Sequence, residues 1–207
     1  MKVLLINSSP HDTGCTYRAL AEVQKTLEEN GAETELLWLG KEAIRGCTAC
    51  GLCAKTGRCV FDDLVNEVGQ KLEFYDGFIF GSPVYYAGIA GQLKSFMDRL
   101  FYVYQGRMKN KPAAAVVSAR RGGCVSAFDD INRYFTINGM PVVSSQYWNQ
   151  VHGSQAGDVE QDQEGLQTLR VLARNMIWLL KCIQLGKENG VIAPPAEQPR
   201  LRTNFIR

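Results

Sequence analysis

The sequence predicts an α/β domain in which a parallel β-sheet is covered by helices on both faces. Short apolar segments alternate with amphipathic segments along most of the 207 residues. The apolar segments, such as Lys2–Ile6 and Gly77–Gly81, are almost continuously hydrophobic, which is typical of strands buried on both faces. The amphipathic segments repeat apolar residues at helical spacing, as Leu20, Val23 and Leu27 do. Alternation of the two types favours parallel strands joined by crossover helices.

The predicted elements follow one another in a regular order. The strands are assigned to Lys2–Ile6, Glu33–Leu39, Gly77–Gly81, Ala113–Ser118 and Pro141–Ser145. The helices are assigned to Gly14–Asn30, Asp62–Leu72, Gly91–Leu100, Ser126–Ile137 and Asp162–Leu185. Gly31 ends the first helix as a C-terminal cap would. Five parallel strands in a chain of this length predict the flavodoxin-like order 2-1-3-4-5 and a three-layer sandwich.

The chain is expected to form a single domain over residues 1–207, with three irregular parts. Residues 40–61 form a cysteine-loop insertion after the second strand, and residues 146–161 interrupt the pattern after the fifth strand. The tail over residues 190–207 contains several prolines, and we expect it to lie irregularly across a neighbouring surface.

Composition excludes several classes of function. A net charge of +2 is too small to indicate binding to nucleic acid or to an anionic membrane surface. Apolar runs such as Phe78–Phe80 are far too short to span a membrane. The first residues lack the long apolar region and the cleavage site of a signal peptide. We therefore expect a cytoplasmic protein whose cysteines stay reduced.

Three loops follow the first, third and fourth strands, at the edge where open parallel sheets bind their ligands. The first loop, Asn7–Thr16, offers hydroxyl groups and the free N–H groups of a helix start, which suit a phosphate. The second loop, Gly81–Gly88, combines a proline and glycines with Tyr85 and Tyr86 as aromatic edges. The third loop, Ser118–Cys124, brings two arginines and two glycines.

Each loop alone has an ordinary structural explanation: N-capping, a half-buried tyrosine wall or a solvated basic turn. Together they suit the three parts of flavin mononucleotide (FMN). The first loop would take the phosphate, the second the tricyclic ring and the third the pyrimidine edge of that ring. Arg120 or Arg121 would stabilise the reduced flavin there, and the sequence leaves open which of the two faces it.

These loops carry a family resemblance. Ser9-Pro10 with Gly14-Cys15-Thr16 resembles the phosphate loop of the NAD(P)H-dependent FMN reductase-like flavoproteins. Gly81–Gly88 with Gln92–Arg99 resembles the flavin-ring loop and the next helix of that family. The cysteine run Cys47–Cys59 is similar to the compact motif of its iron–sulfur flavoprotein branch.

The resemblance implies the FMN-binding residues one by one. They are Ser8, Ser9, Gly14, Cys15 and Thr16 around the phosphate, Pro83, Val84, Tyr85 and Tyr86 along the ring, and Ser118, Arg121, Gly122 and Gly123 to finish the site. Cys15 stands where the family usually has Asn, and we expect a small, tolerated side chain because backbone amides do most of the phosphate binding. The resemblance also implies a homodimer or homotetramer.

Four of the seven cysteines lie within one short stretch that contains no histidine. They are Cys47, Cys50, Cys53 and Cys59. Three thiols spaced by two residues can converge from one loop, and such a set suits an iron–sulfur cluster, expected here as a 4Fe–4S cluster. Structural zinc usually takes two cysteine pairs with a longer spacer, and a dithiol redox pair needs only two cysteines. Zinc and a loop of free thiols stay open as alternatives.

The predicted activity is that of an FMN-dependent oxidoreductase. The resemblance implies that electrons pass from NAD(P)H through flavin, with or without a cluster, to a quinone-like, azo, metal or protein acceptor. No catalytic side chain is expected, because the flavin carries the chemistry. No Gly-x-Gly-x-x-Gly follows a strand, so a nicotinamide cofactor would bind only transiently. The alternative is a flavodoxin-like electron carrier that a partner protein reduces, without direct NAD(P)H activity.

Overall fold

The computed structural model describes residues 1–195, 198–199, 201, 203 and 205, and it has the expected layered α/β architecture. The strands are β1 (Lys2–Asn7), β2 (Glu33–Trp38), β3 (Gly77–Tyr85), β4 (Gly88–Ile89), β5 (Ala113–Ala119) and β6 (Gln150–His152). The helices are α1 (Cys15–Glu29), α2 (Cys53–Thr56), α3 (Leu64–Lys71), α4 (Gly91–Tyr104), α5 (Cys124–Ile137), α6 (Ala156–Val159) and α7 (Gln163–Glu188).

The parallel strands run in the order β2-β1-β3-β5-β6, which confirms the flavodoxin-like order. The short strand β4 pairs antiparallel with the end of β3, with Val84 opposite Ile89. The sheet therefore has six strands where five were expected. The additional strand folds the chain back on itself within the predicted flavin-ring loop Gly81–Gly88, because β3 continues through that loop to Tyr85.

The last parallel strand lies at Gln150–His152, so its assignment to Pro141–Ser145 is wrong. The earlier segment reaches β5 through an isolated bridge, in which the Val143 N–H donates to the Ala113 carbonyl at 2.9 Å. The chain then leaves the sheet and returns at Asn149, whose side-chain amide donates to the Ala115 carbonyl at 3.0 Å. The edge strand is thus interrupted, and the apolar run marks only its first contact with β5.

Apolar side chains fill both spaces between the sheet and the helices. On β1, Leu4 and Ile6 pack in the core beneath α3, α4 and α5, whereas Val3 and Leu5 pack in the core beneath α1 and α7. Alternate residues of the buried strands therefore serve opposite faces, as their pleat requires. Within the described ranges, no helix is long and apolar enough to cross a membrane.

The tail was expected to be irregular. Residues 191–195 are exposed and form neither helix nor strand. The expectation for residues 196, 197, 200, 202, 204, 206 and 207 lies outside the described residues.

Gly69 allows α3 to pack closely against α4. An ideal Cβ at Gly69 would lie 2.1 Å from the ring of the buried Tyr104. The substitution Gly69→Ala is therefore expected to lower the free energy of unfolding by about 1–3 kcal/mol, the usual cost of overpacking. Gly157→Ala on α6 is the control, because no described residue lies within 4 Å of its Cβ position. Urea unfolding followed by circular dichroism measures both, and equal stability of the two variants would contradict the packing argument.

Candidate functional site

The loop after β1 is folded by its own hydrogen bonds. The buried Asn7 side chain accepts from the Ser9 N–H at 3.0 Å and donates to the Asp12 carbonyl at 3.0 Å. Helix α1 then begins after Gly14, and no side chain caps its first N–H groups. The loop therefore leads to backbone donors and to the positive end of a helix dipole, an arrangement that binds anions.

Buried hydrogen bonds join this loop to the ends of β3 and β5. The Ser8 hydroxyl and N–H donate to the Gly81 carbonyl at 2.8 and 3.1 Å. The hydroxyl oxygens of Thr16 and Ser118 are hydrogen-bonded to each other at 2.8 Å. Gly81 is required for close packing, since a Cβ there would lie 2.7 Å from the Leu20 side chain. The three strand ends consequently form one connected rim.

A cleft of about 620 Å³ opens at this rim, within the usual size of a small-molecule site. Its walls are the loop after β1, the ends of β3 and β5, and the segment after β6. The lining residues are Ser9, His11, Thr13, Gly14, Cys15, Thr16, Pro83, Val84, Tyr85, Ser118, Ala119, Arg120, Gly153, Ser154, Gln155 and Ala156. Eight residues that the resemblance implied for FMN are therefore brought together here.

The other implied residues do not line the cleft. They are Ser8, Tyr86, Arg121, Gly122 and Gly123. The Ser8 hydroxyl is bonded to a backbone carbonyl, and Tyr86 is fully exposed with a positive φ of 48°. Gly123, with φ of 90°, lets the second and third loops approach, because a Cβ there would lie 2.8 Å from the Ala87 Cα. Of these two arginines, it is Arg120 that lines the cleft, where it is available to a ligand.

The fourth wall, Gly153–Ala156, was missed from the sequence. It follows β6, and the wrong placement of that strand removed it from the expected rim. The Ser154 and Gln155 N–H groups donate to the Asp158 carboxylate at 2.8 and 3.1 Å, and these bonds lower the pKa of Asp158. The available signal was the pair His152-Gly153, whose glycine directly follows the strand.

Cys15 lies where the first and fourth walls meet, and its Sγ donates to the Gly153 carbonyl at 3.5 Å. Burial, and then the negative charge of Asp158, raise the pKa of the Cys15 thiol above its ordinary value. Burial and Asp158 therefore oppose the lowering of the thiol pKa that a helix start would otherwise cause. A small side chain at this place is consistent with a cleft that receives an anion through backbone groups.

The four clustered cysteines share a separate pocket. Its lining includes Cys47, Cys50, Cys53, Cys59, Phe61, Arg99 and Tyr102. All four thiols are free, and Cys47 and Cys50 are exposed. Across the residues that the structure covers, no three His, Cys, Asp or Glu side chains already stand in an arrangement that could hold a metal ion. The four expected ligands therefore line one pocket, but their sulfur atoms do not converge on a common point.

Cys59 is the most firmly held of the four. Its N–H donates to Asn66 Oδ1 at 2.9 Å, and its carbonyl accepts from Asn66 Nδ2 at 2.9 Å. The buried Arg99 donates from Nε to Cys59 Sγ at 3.2 Å. Gly57, with φ of 69°, turns the chain back toward Cys59 after α2.

Relatives of known sequence resemble the chain over most of its length. Residues 1–155 match the family described as NADPH-dependent FMN reductase. An iron-sulfur flavoprotein of Methanocaldococcus jannaschii is 35% identical over 192 residues, which cover 89% of this chain and 100% of the relative. An iron-sulfur flavoprotein of Methanosarcina thermophila is 30% identical over 192 residues, which cover 91% of this chain and 100% of the relative.

Solved structures share the fold at low identity. A flavone reductase superposes with a TM-score of 0.70 at 18% identity, covering 89% of this chain and 64% of that chain. A flavodoxin from the domain Archaea superposes with a TM-score of 0.60 at 15% identity, covering 87% and 99%. These likenesses show the flavodoxin-like fold, and the match over residues 1–155 shows the family. This chain belongs to the NADPH-dependent FMN reductase family.

Proposed function

We propose that this chain is an FMN-dependent oxidoreductase that passes electrons from NAD(P)H to a quinone-like, azo, metal or protein acceptor. The observation that carries the proposal is the single cleft to which the ends of β1, β3, β5 and β6 all contribute. Its chemistry matches a ligand with an anionic end and a flat aromatic end.

The residues of the cleft fit FMN. The uncapped N–H groups at the start of α1 and the Ser9 and Thr16 hydroxyls would hold the phosphate. Pro83, Val84 and Tyr85 would form a largely apolar wall that excludes water from the flavin ring. Arg120 would place positive charge in the same cleft and so favour a reduced, anionic ligand. When bound, FMN supplies hydride and single-electron transfer chemistry.

We propose that the cysteine pocket holds an iron–sulfur cluster on Cys47, Cys50, Cys53 and Cys59. Four sulfur donors in one pocket match the ligand set of such a cluster, whereas no histidine lines it. The backbone around Cys47 and Cys50 is exposed and belongs to no helix or strand, so converging on a cluster would disturb no packed element. The names of the similar archaeal flavoproteins support the same assignment.

The proposal includes self-association and a cytoplasmic location. Tyr147, Trp148 and Trp178 are exposed aromatic side chains that suit a contact between copies in a homodimer or homotetramer. All seven cysteines are free thiols, which a reducing compartment preserves.

Direct reduction by a nicotinamide cofactor separates the enzyme from an electron carrier. Anaerobic addition of NADPH or NADH to the FMN-loaded protein is expected to bleach the visible absorption of oxidised flavin. Dithionite serves as the control that shows the flavin is reducible. Bleaching by dithionite but by neither nucleotide would favour the carrier and refute the reductase.

Arg120 and Arg121 provide a matched pair. Arg120→Met is expected to weaken FMN binding about tenfold, because a charge-assisted hydrogen bond contributes about 1.5 kcal/mol or more. Arg121→Met should leave the affinity within about twofold, since Arg121 does not line the cleft. Quenching of flavin fluorescence on binding to the apo-protein measures both affinities. A larger loss of affinity for Arg121→Met than for Arg120→Met would contradict the assignment of the ligand contact to Arg120.

The cysteine pocket and the cleft are expected to lose their cofactors independently. Anaerobically purified protein should contain about four iron atoms and about four sulfides per chain. Cys50→Ala and Cys53→Ala should each remove the iron and leave FMN bound, because neither residue lines the cleft. Cys182→Ala, which alters an exposed thiol of α7, is the control and should keep the iron. Full iron content in the Cys50 and Cys53 variants would refute this ligand set.

A further inference from the structure

Arg99 is a charged side chain placed in the interior. It is 1% exposed and heads the fully buried side chains by size within the described part of the chain. A buried guanidinium has five N–H donors, and each needs an acceptor because burial removes its water. The residues that accept hydrogen bonds from Arg99 therefore show which part of the chain its buried side chain holds in place.

All of these acceptors lie within residues 45–63, which are part of the cysteine loop and the start of the helix that follows it. Nε donates to Cys59 Sγ at 3.2 Å. Nη1 donates to the Arg45 carbonyl at 3.1 Å and to Asp63 Oδ2 at 2.6 Å. Nη2 donates to the Phe61 carbonyl at 3.1 Å and to Asp63 Oδ1 at 2.8 Å. Every N–H of the guanidinium is thus satisfied, and one of them is directed at an expected ligand sulfur.

The charge of Arg99 is balanced by a carboxylate that is fixed independently of the cysteines. Asp63 Oδ1 also accepts from the Val65 N–H at 3.1 Å and so caps helix α3. The Asp63 side chain is 32% exposed, whereas that of Arg99 is 1% exposed. The positive member of the pair is therefore the less screened by water, and it is the member that donates to the sulfur.

We propose that Arg99 is a positioning residue that presets the Cys59 sulfur and raises the reduction potential of a cluster in the cysteine pocket, and that Asp63 partly offsets this effect. The inference rests on the proposed function, since it concerns the cluster assigned there. An N–H bond to a ligand sulfur and a nearby positive charge stabilise the more negative, reduced state, and both are recognised determinants of cluster potentials. The negative charge of Asp63 acts in the opposite direction.

The arrangement predicts shifts of opposite sign for two neighbouring substitutions. Arg99→Gln removes the charge and the donor to sulfur, so the midpoint potential of the cluster should fall. Asp63→Asn keeps a side chain that caps a helix and leaves Arg99 charged, so the midpoint should rise. Arg107→Gln is the control, because Arg107 contacts the Gly69 carbonyl and Glu73 but no cysteine.

The experiment is an anaerobic potentiometric titration of the holoprotein with dithionite as the electron donor, followed by electron paramagnetic resonance of the cluster. Arg99→Gln is expected to reduce the equilibrium constant for one-electron reduction about tenfold, a fall of about 59 mV. Asp63→Asn should give a smaller rise, and Arg107→Gln no shift. If the Arg99→Gln protein loses its iron, the direction in which Asp63→Asn shifts the midpoint potential tests the inference by itself.

Unchanged midpoints, or a shift of both variants in the same direction, would overturn the inference and leave Arg99 a merely structural residue. FMN content and bleaching by NAD(P)H are measured on the same samples. Intact FMN and iron with unmoved midpoints would refute this inference alone. A wild-type protein without iron would refute the proposed cluster and this inference together, and one without FMN would refute the proposed oxidoreductase.

Discussion

The register of the parallel sheet is the constraint on which the candidate FMN site depends. Asn7 pairs with Gly81, and Pro83 pairs with Ser118, so β1, β3 and β5 end at one edge. Their loops meet there and are joined by buried hydrogen bonds. A slip of one residue would exchange the two faces of a strand and separate these loops, so core packing and the site enforce the same register. The hydrophobic core therefore fixes the relative positions of the loops that would bind the ligand.

Helix α4 performs a comparable role for the cysteine pocket. Near its start, the Gln92 side chain donates to the carbonyls of Leu39, Gly40 and Glu42 at 3.2, 3.1 and 3.0 Å. About two turns later, Arg99 donates to the Arg45 and Phe61 carbonyls, which lie before and after the four cysteines. A segment with little core of its own is thereby tied to a rigid helix. The pocket and the cleft share no lining residue, so each can be altered without the other.

The sequence was sufficient for the strand order and for most of the cleft, because continuous apolar strands and the chemistry of strand-end loops are local signals. It was insufficient for β6, since Gln150–His152 is shorter and more polar than the apolar run at Pro141–Ser145. Because β6 was misplaced, Gly153–Ala156, which follows it, was not recognised as a wall of the cleft. The burial of Arg99 was likewise unpredictable, because an arginine on an amphipathic helix is usually exposed and its acceptors lie about 36 to 54 residues away along the chain.

Titration of colourless apo-protein with FMN and with riboflavin tests most directly whether the strand-end loops form an FMN site. The two ligands share the flavin ring, but only FMN carries the phosphate that the start of α1 would bind. We expect about one FMN per chain with a dissociation constant in the micromolar range or below, and much weaker binding of riboflavin. Absence of FMN binding at micromolar concentration, or equal affinity for the two ligands, would contradict it.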